Sequence, residues 1–158
     1  MAHIEVGRKA PDFALTTDAG GTFRLSEHRG GPVVLFFYPE DDTEGCTVEN
    51  LEFSEQMPEF ERLGVSVVGV SPDTVEKHCR FRDKYDLRAT LAADPGRKVI
   101  SAYGVWGRKK LFGHEYDGVI RTTFLIGPDG KIARIWPVTR IKGHAQAVLN
   151  AVRSLVSA

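Results

Sequence analysis

The sequence predicts an α/β sandwich in which a mixed central sheet is flanked by helices. Two continuous apolar runs, residues 33–38 and 65–70, read as strands buried on both faces, and each leads into a helix-like stretch. A strong turn, Gly127-Pro128-Asp129-Gly130, then joins residues 122–126 to 131–136 as a hairpin. A closing amphipathic helix follows. Strands alternating with helices, then a hairpin and a helix, bury their apolar faces only as layers around one sheet.

The elements follow in order. Residues 12–16 and 22–25 form a hairpin around Asp18-Ala19-Gly20-Gly21, and Ser26 is placed to cap a short helical turn. Val33–Tyr38 is the central strand. Residues 46–63 read as a helix with Leu51, Phe53, Met57, Phe60 and Leu63 apolar and Gly64 as its stop; Pro58 is expected to kink or break it. Val65–Val70 is the second buried strand, and Pro72-Asp73 opens a helix running to about Asp86. A short strand near 90–93 and a helix from Pro95 to about Tyr103 come next. The last helix covers about 143–156, with Ala147, Val148, Ala151, Val152 and Leu155 on one face. The order βα, βα, ββα, preceded by an N-terminal β-hairpin, is that of a thioredoxin-like fold. No repeat or linker interrupts it, so residues 1–158 read as a single domain.

Composition narrows the function. Lys+Arg and Asp+Glu both number 21, which removes any general attraction to nucleic acid or anionic lipid. No apolar stretch approaches the ~20 residues that span a bilayer, and the first residues lack the apolar run of a secretory signal. Two cysteines without a leader argue against a disulfide-stapled secreted fold and point to a reducing cytoplasm. Cys46 and Cys79 match no zinc spacing. The five histidines are dispersed and form no ligand pair, so neither metal nor cofactor is expected. The acidic run Glu40-Asp41-Asp42 with Glu44 reads as a solvated loop, as does Arg108-Lys109-Lys110. Trp106 and Trp136 read as residues that pack on the sheet or rim the site.

Cys46 carries the chemistry. It follows Tyr38-Pro39-Glu40-Asp41-Asp42-Thr43-Glu44-Gly45 at the junction between the first buried strand and its helix. Unpaired backbone N–H groups and the helix dipole favour negative charge there. Such a position lowers a cysteine pKa and yields the reactive thiolate.

The spacing of Pro39, Thr43 and Cys46 matches the Pro-x-x-x-Thr/Ser-x-x-Cys pattern, and the chain resembles the peroxiredoxins, within them the bacterioferritin-comigratory or Q-type group. Further blocks match in order: Gly7–Phe13, Ser71-Pro72-Asp73 with Lys77-His78, Tyr103–Gly107, Arg121–Ile126 and Lys142–Ala145. The resemblance implies a thiol peroxidase that reduces hydrogen peroxide and organic hydroperoxides. Cys46 thiolate would attack the peroxide and become a sulfenic acid. Thr43, the backbone N–H groups around Gly45 and Cys46, and Arg121 would stabilise the thiolate and the polarised O–O bond. Pro39 would shield the sulfur, and Glu49, a family-matched acid, would support the site. The implied partners are the peroxide and thioredoxin or a similar dithiol. A monomer is favoured, with a dimer through the Cys46 end as the other arrangement.

Two positions depart from the family pattern. Glu44 stands where proline is usual, and a carboxylate so near the sulfur opposes the thiolate unless it points to solvent. Leu51 occupies the place of a common resolving cysteine, five residues after Cys46. Cys79 is the only other thiol. Some relatives resolve from the same helix, nearer the position of Arg82. At ~100° per residue Cys79 lies roughly 40° beyond Val75, at the edge of a stripe through His78, Phe81 and Tyr85. Resolution by an intrachain Cys46–Cys79 disulfide, a one-Cys cycle with Cys79 in packing, and a redox-sensing or holdase role for Cys46 all stand at this point. A thioredoxin-type oxidoreductase is disfavoured by the lack of Cys-x-x-Cys.

Overall fold

Strand β3 (Val33–Phe37) is buried at every residue because it is the middle of a five-stranded sheet. A computed structural model describes residues 4–157. The elements are β1 (Ala14–Thr16), β2 (Thr22–Arg24), a 3-10 turn (Leu25–His28), β3, α1 (Glu44–Arg62), β4 (Ser66–Ser71), α2 (Val75–Tyr85) and β5 (Thr90–Ala93). They continue with α3 (Lys98–Ala102), β6 (Trp106–Leu111), β7 (His114–Val119), β8 (Thr122–Ile126), β9 (Ile132–Pro137) and α4 (His144–Val156). The main sheet has the order β5-β4-β3-β8-β9, with β3, β4 and β5 parallel and β8 and β9 antiparallel.

Alternation along β3 sorts the core into two layers. Val34 and Phe36 face Phe53, Met57 and Phe60 of α1, Phe81 of α2 and Val148 and Val152 of α4. Val33, Leu35 and Phe37 face Phe13, Phe23, Val99, Ile100 and Tyr103 on the other side. At Gly69 in β4, an added Cβ would lie 2.6 Å from Phe36 Cζ, so only glycine lets that ring cross the strand.

Four expectations need correction. Pro58 does not break α1, which runs on past it to Arg62; the ring is on the exposed face, while Met57 and Phe60 stay buried and hold the helix to the sheet. Ser26 does not cap the short turn, since it lies within it, and its N–H donates instead to Asp12 Oδ1 at 2.9 Å. Residues 108–110 are not loop but part of the β6–β7 hairpin. Its turn has Phe112 at φ 51° and Gly113 at φ 80°, the doubly positive pattern that suits a two-residue hairpin connection. Arg108 is balanced across it by Glu115 and Asp117. The acidic run is not wholly solvated either: Asp41 is 2% exposed, drawn inward by Tyr38 and His78. No described helix is long and apolar enough to cross a membrane.

Candidate active site

The sheet places two distant segments side by side. Phe37, the last residue of β3, pairs with Thr122, the first of β8, so Arg121 sits just beyond that end. The chain leaving β3 turns at Pro39 and enters α1, where Thr43 is the N-cap and Cys46 lies in the first turn. The first intrahelical bond runs from Thr47 N–H to Thr43 O at 2.9 Å, so the N–H groups of Gly45 and Cys46 precede the bonded ladder. The positive end of the helix dipole thus lies at the turn that carries Cys46.

Arg121 forks between two acids of the site. Its Nη2 donates to Cys46 Sγ at 3.2 Å and its Nη1 to Glu49 Oε1 at 2.6 Å. Glu49 follows Cys46 by three residues on α1, which puts both side chains on one face. Cys46 and Glu49 are each 1% exposed. Burial works against the Arg121 charge, but Glu49 and Cys46 together hold its pKa above the ordinary value. Gly45 allows this approach: a Cβ there would stand 3.0 Å from Ile141 Cδ1 and 3.4 Å from Arg121 Nη2. Asn50 Nδ2 donates to Cys46 O at 3.0 Å and steadies the turn.

Thr43 Oγ1 donates its hydrogen to Glu40 O at 2.9 Å, which leaves the oxygen's lone pairs to accept. Glu44 is exposed, so water screens its carboxylate from the sulfur. Pro39 is half-buried at the start of the loop. His144 is close enough to matter electrostatically, but burial and the Arg121 charge push its pKa down to about 4. It is therefore neutral near pH 7, with Nε2 2.8 Å from Thr123 Oγ1 and Trp136 edge-on to its ring.

Burial pushes the Glu49 carboxyl up from 4.5 to about 7, against the opposing pull of Arg121. The folded chain thus holds this proton more tightly than the unfolded chain does. The resulting stabilisation is complete below about pH 4.5 and is lost as pH rises through about 7. Glu49→Gln should flatten that part of the stability profile by up to about 3 kcal/mol. Urea unfolding of both proteins at pH 4.5 and 7.5 measures it; parallel profiles would remove Glu49 as the cause.

Comparison with known proteins gives the family. The AhpC/TSA family model matches residues 6–135. Peroxiredoxin Bcp of Bacillus subtilis is 41% identical over 152 residues, covering 96% of this chain and 97% of that protein. Peroxiredoxin Bcp of Escherichia coli is 38% identical over 150 residues, covering 95% and 96%. The chain is a Bcp-type peroxiredoxin of the AhpC/TSA family. Its fold is accordingly the thioredoxin-like one expected from the strand and helix order, and its activity is that of a thiol peroxidase. Among solved structures, the bacterioferritin comigratory protein of Xanthomonas campestris superposes with a TM-score of 0.88 at 33% identity, covering 96% of this chain and 99% of that one. That protein is described as having alkyl peroxide reduction activity, from trapped intermediate/ligand complexes. Peroxiredoxin Q of the same organism has been solved with each of two cysteines replaced singly, and those two stand farther apart in sequence than Cys46 and Cys79 do here.

In this peroxiredoxin the fold brings Cys46, Arg121, Glu49, Gly45 and Thr43 into one site. Cys79 lies apart from it on α2, half-buried, with Sγ donating to Asp18 O at 3.1 Å. Arg82 donates to the same carbonyl at 2.9 Å and pairs with the Asp18 carboxylate. Sequence reasoning missed Lys109, taken as part of a solvated loop. Its Nζ donates to Val119 O at 2.9 Å, and burial and Arg121 lower its pKa while Cys46 opposes them. The hairpin that brings it there was the unrecognised element. It also missed the network behind the loop, where Tyr38 OH donates to Asp41 Oδ1 at 2.6 Å and His78 Nδ1 lies 2.5 Å from Asp41 Oδ2. Tyr38 and Asp41 are near neighbours, but no local signal joins them to His78.

Proposed function

We propose that this peroxidase reduces hydrogen peroxide and organic hydroperoxides, alkyl hydroperoxides included, with Cys46 as the attacking residue. The observation that carries this is the Arg121 guanidinium on the Cys46 sulfur within the first turn of α1. The guanidinium donates to the sulfur that attacks, and the free helix N–H groups lie in the same turn. The sulfur attacks the near peroxide oxygen and the O–O bond breaks. Cys46 becomes a sulfenic acid, and the departing oxygen takes a proton to leave as water or an alcohol. Arg121 and the N–H groups stabilise the charge that grows on the departing oxygen. Thr43 Oγ1 accepts the peroxide O–H and Pro39 limits water at the sulfur.

Cys79 then attacks the sulfenic sulfur, releasing water and forming an intrachain disulfide. Thioredoxin or a similar dithiol reduces it. Support comes from the half-exposure of Cys79 on the helix that also anchors the Cys46 loop. A second reading, the one-Cys cycle, has its own observation: the hydrogen bond that holds Cys79 to Asp18 O. The protein would work in the cytoplasm as one domain and as a monomer.

One equivalent of hydrogen peroxide, followed by thiol blocking and intact and peptide mass spectrometry, tests this. The expected product has lost two hydrogens and yields a Cys46–Cys79 linked peptide. One added oxygen on Cys46 with Cys79 blocked gives the one-Cys cycle instead. An unmodified Cys46 would overturn the assignment of the attacking residue.

A further inference from the structure

Each residue of the segment 40–42, which leads from Pro39 to Thr43, is tied by its side chain to α2. Lys77 pairs with Glu40 at 3.0 Å. Lys84 and the Tyr85 hydroxyl reach the Asp42 carboxylate at 2.8 and 2.9 Å. The backbone N–H of Asp41 donates to Oδ2 of Asp73, just before the helix, at 2.7 Å. The ties at Glu40 and Asp42 are exposed, and such pairs contribute little.

The tie at Asp41 is different. His78 is 0% exposed and Asp41 2%. His78 Nε2 lies 3.1 Å from Ala92 O, which only accepts, so Nε2 carries a hydrogen. Nδ1 and Asp41 Oδ2 then share the one further proton between them at 2.5 Å, while Tyr38 OH satisfies Oδ1. Asp41, Asp73 and His78 group their polar atoms within 4.8 Å of one another, but the Tyr38 and Ser71 hydroxyls, the Asp41 N–H and Lys77 already fill the two carboxylates. A buried polar pair of this kind costs far more to separate than a surface pair. The Cys46 loop cannot lift off α2 without separating it.

Cys46 is 1% exposed, so a second thiol reaches its sulfenic acid only when the loop and first helical turn move. We propose that His78 is a positioning residue that latches the Cys46 loop closed through Asp41. The latch sets the balance between a closed form that attacks peroxide and an open form that meets the second thiol. This rests on the reading of Cys46 as the oxidised residue. A contact made only in the closed form shifts the two populations by its own strength and no more.

His78→Phe, made in a Cys79→Ser background to preserve the sulfenic acid, tests the latch by rapid mixing. An aromatic ring, somewhat larger, is kept and both nitrogens are lost. Oxidation of Cys46 by peroxide should slow about tenfold, while reduction of the formed sulfenic acid by dithiothreitol should quicken about tenfold. General destabilisation does not move the two rates in opposite directions. Both rates falling together, or neither moving, overturns the latch. If His78→Phe does not fold, Asp41→Asn is measured in its place. The amide can donate to His78 Nδ1 and accept from Tyr38, and the same opposed shifts are expected at smaller size; without them the latch is also overturned. If the Cys79→Ser protein with His78 intact forms no Cys46 sulfenic acid, the reading of Cys46 fails first and the latch with it.

Discussion

Cys46→Ser is expected to lower peroxide turnover by about 10⁴-fold or more, to the level of the uncatalysed reaction. Serine matches cysteine closely in size, and the buried site at the start of α1 should keep its shape. What changes is the nucleophile. A hydroxyl is scarcely ionised near neutral pH, and the guanidinium and helix N–H groups cannot offset so large a difference. Alkoxide oxygen also lacks the soft, polarisable electrons that attack a peroxide oxygen readily. Peroxide consumption with an excess of dithiol, followed over time, measures the loss. Near-normal turnover would transfer the chemistry to Cys79, the other thiol of the chain.

Arg121→Ala is expected to act on rate and stability together. Removing the donor on Cys46 Sγ takes away charge stabilisation of both the thiolate and the departing oxygen, worth about 10²- to 10³-fold in rate. It also strands Glu49, whose Oε2 already has no hydrogen-bond partner and whose Oε1 would lose the guanidinium. Breaking a buried pair from one side costs about 3–5 kcal/mol. Glu49 can relieve part of that by taking a proton, since its pKa is already raised to about 7. Arg121→Lys separates the two effects. An ammonium restores the charge as a single point but cannot fork to sulfur and carboxylate at once. Stability should recover more fully than rate. Stopped-flow oxidation and urea unfolding on the same preparations provide both readings, and an unchanged oxidation rate in Arg121→Ala would remove the residue from the site.

The parts of the fold that were legible in the sequence share one property: burial on both faces or a strong turn. Residues 33–38 and 65–70 contain no polar side chain to contradict a central strand except Ser66 and the Tyr38 hydroxyl near the ends, and Gly127–Gly130 admits little but a hairpin. The β6–β7 hairpin was illegible because it is not buried. Its Arg108-Lys109-Lys110 run has no apolar alternation, and its turn rests on Phe112 adopting a left-handed backbone that the residue type does not advertise. Within the site, Cys46, Gly45 and Glu49 lie close enough in sequence for helix geometry to relate them. Arg121 was found through family resemblance, since only strand pairing between β3 and β8 brings it near. Asp41 was misread because acidic neighbours suggest water, and nothing local shows that one of three carboxylates turns inward to meet a histidine on another element.

Positions 44 and 45 have opposite latitude for mutational drift. The Glu44 side chain ends in solvent, so proline, glutamate or another small change can occupy it with no atom of the site displaced. Position 45 has no such freedom. The smallest possible addition, a single methyl, would press on Ile141 and stand 3.4 Å from the guanidinium nitrogen that touches the sulfur. An alanine there would alter reactivity through the distance between arginine and sulfur, while leaving every polar group of the site chemically intact. An engineer tuning this enzyme's speed could therefore use position 45 as a mechanical adjustment, independent of the groups that perform the reaction.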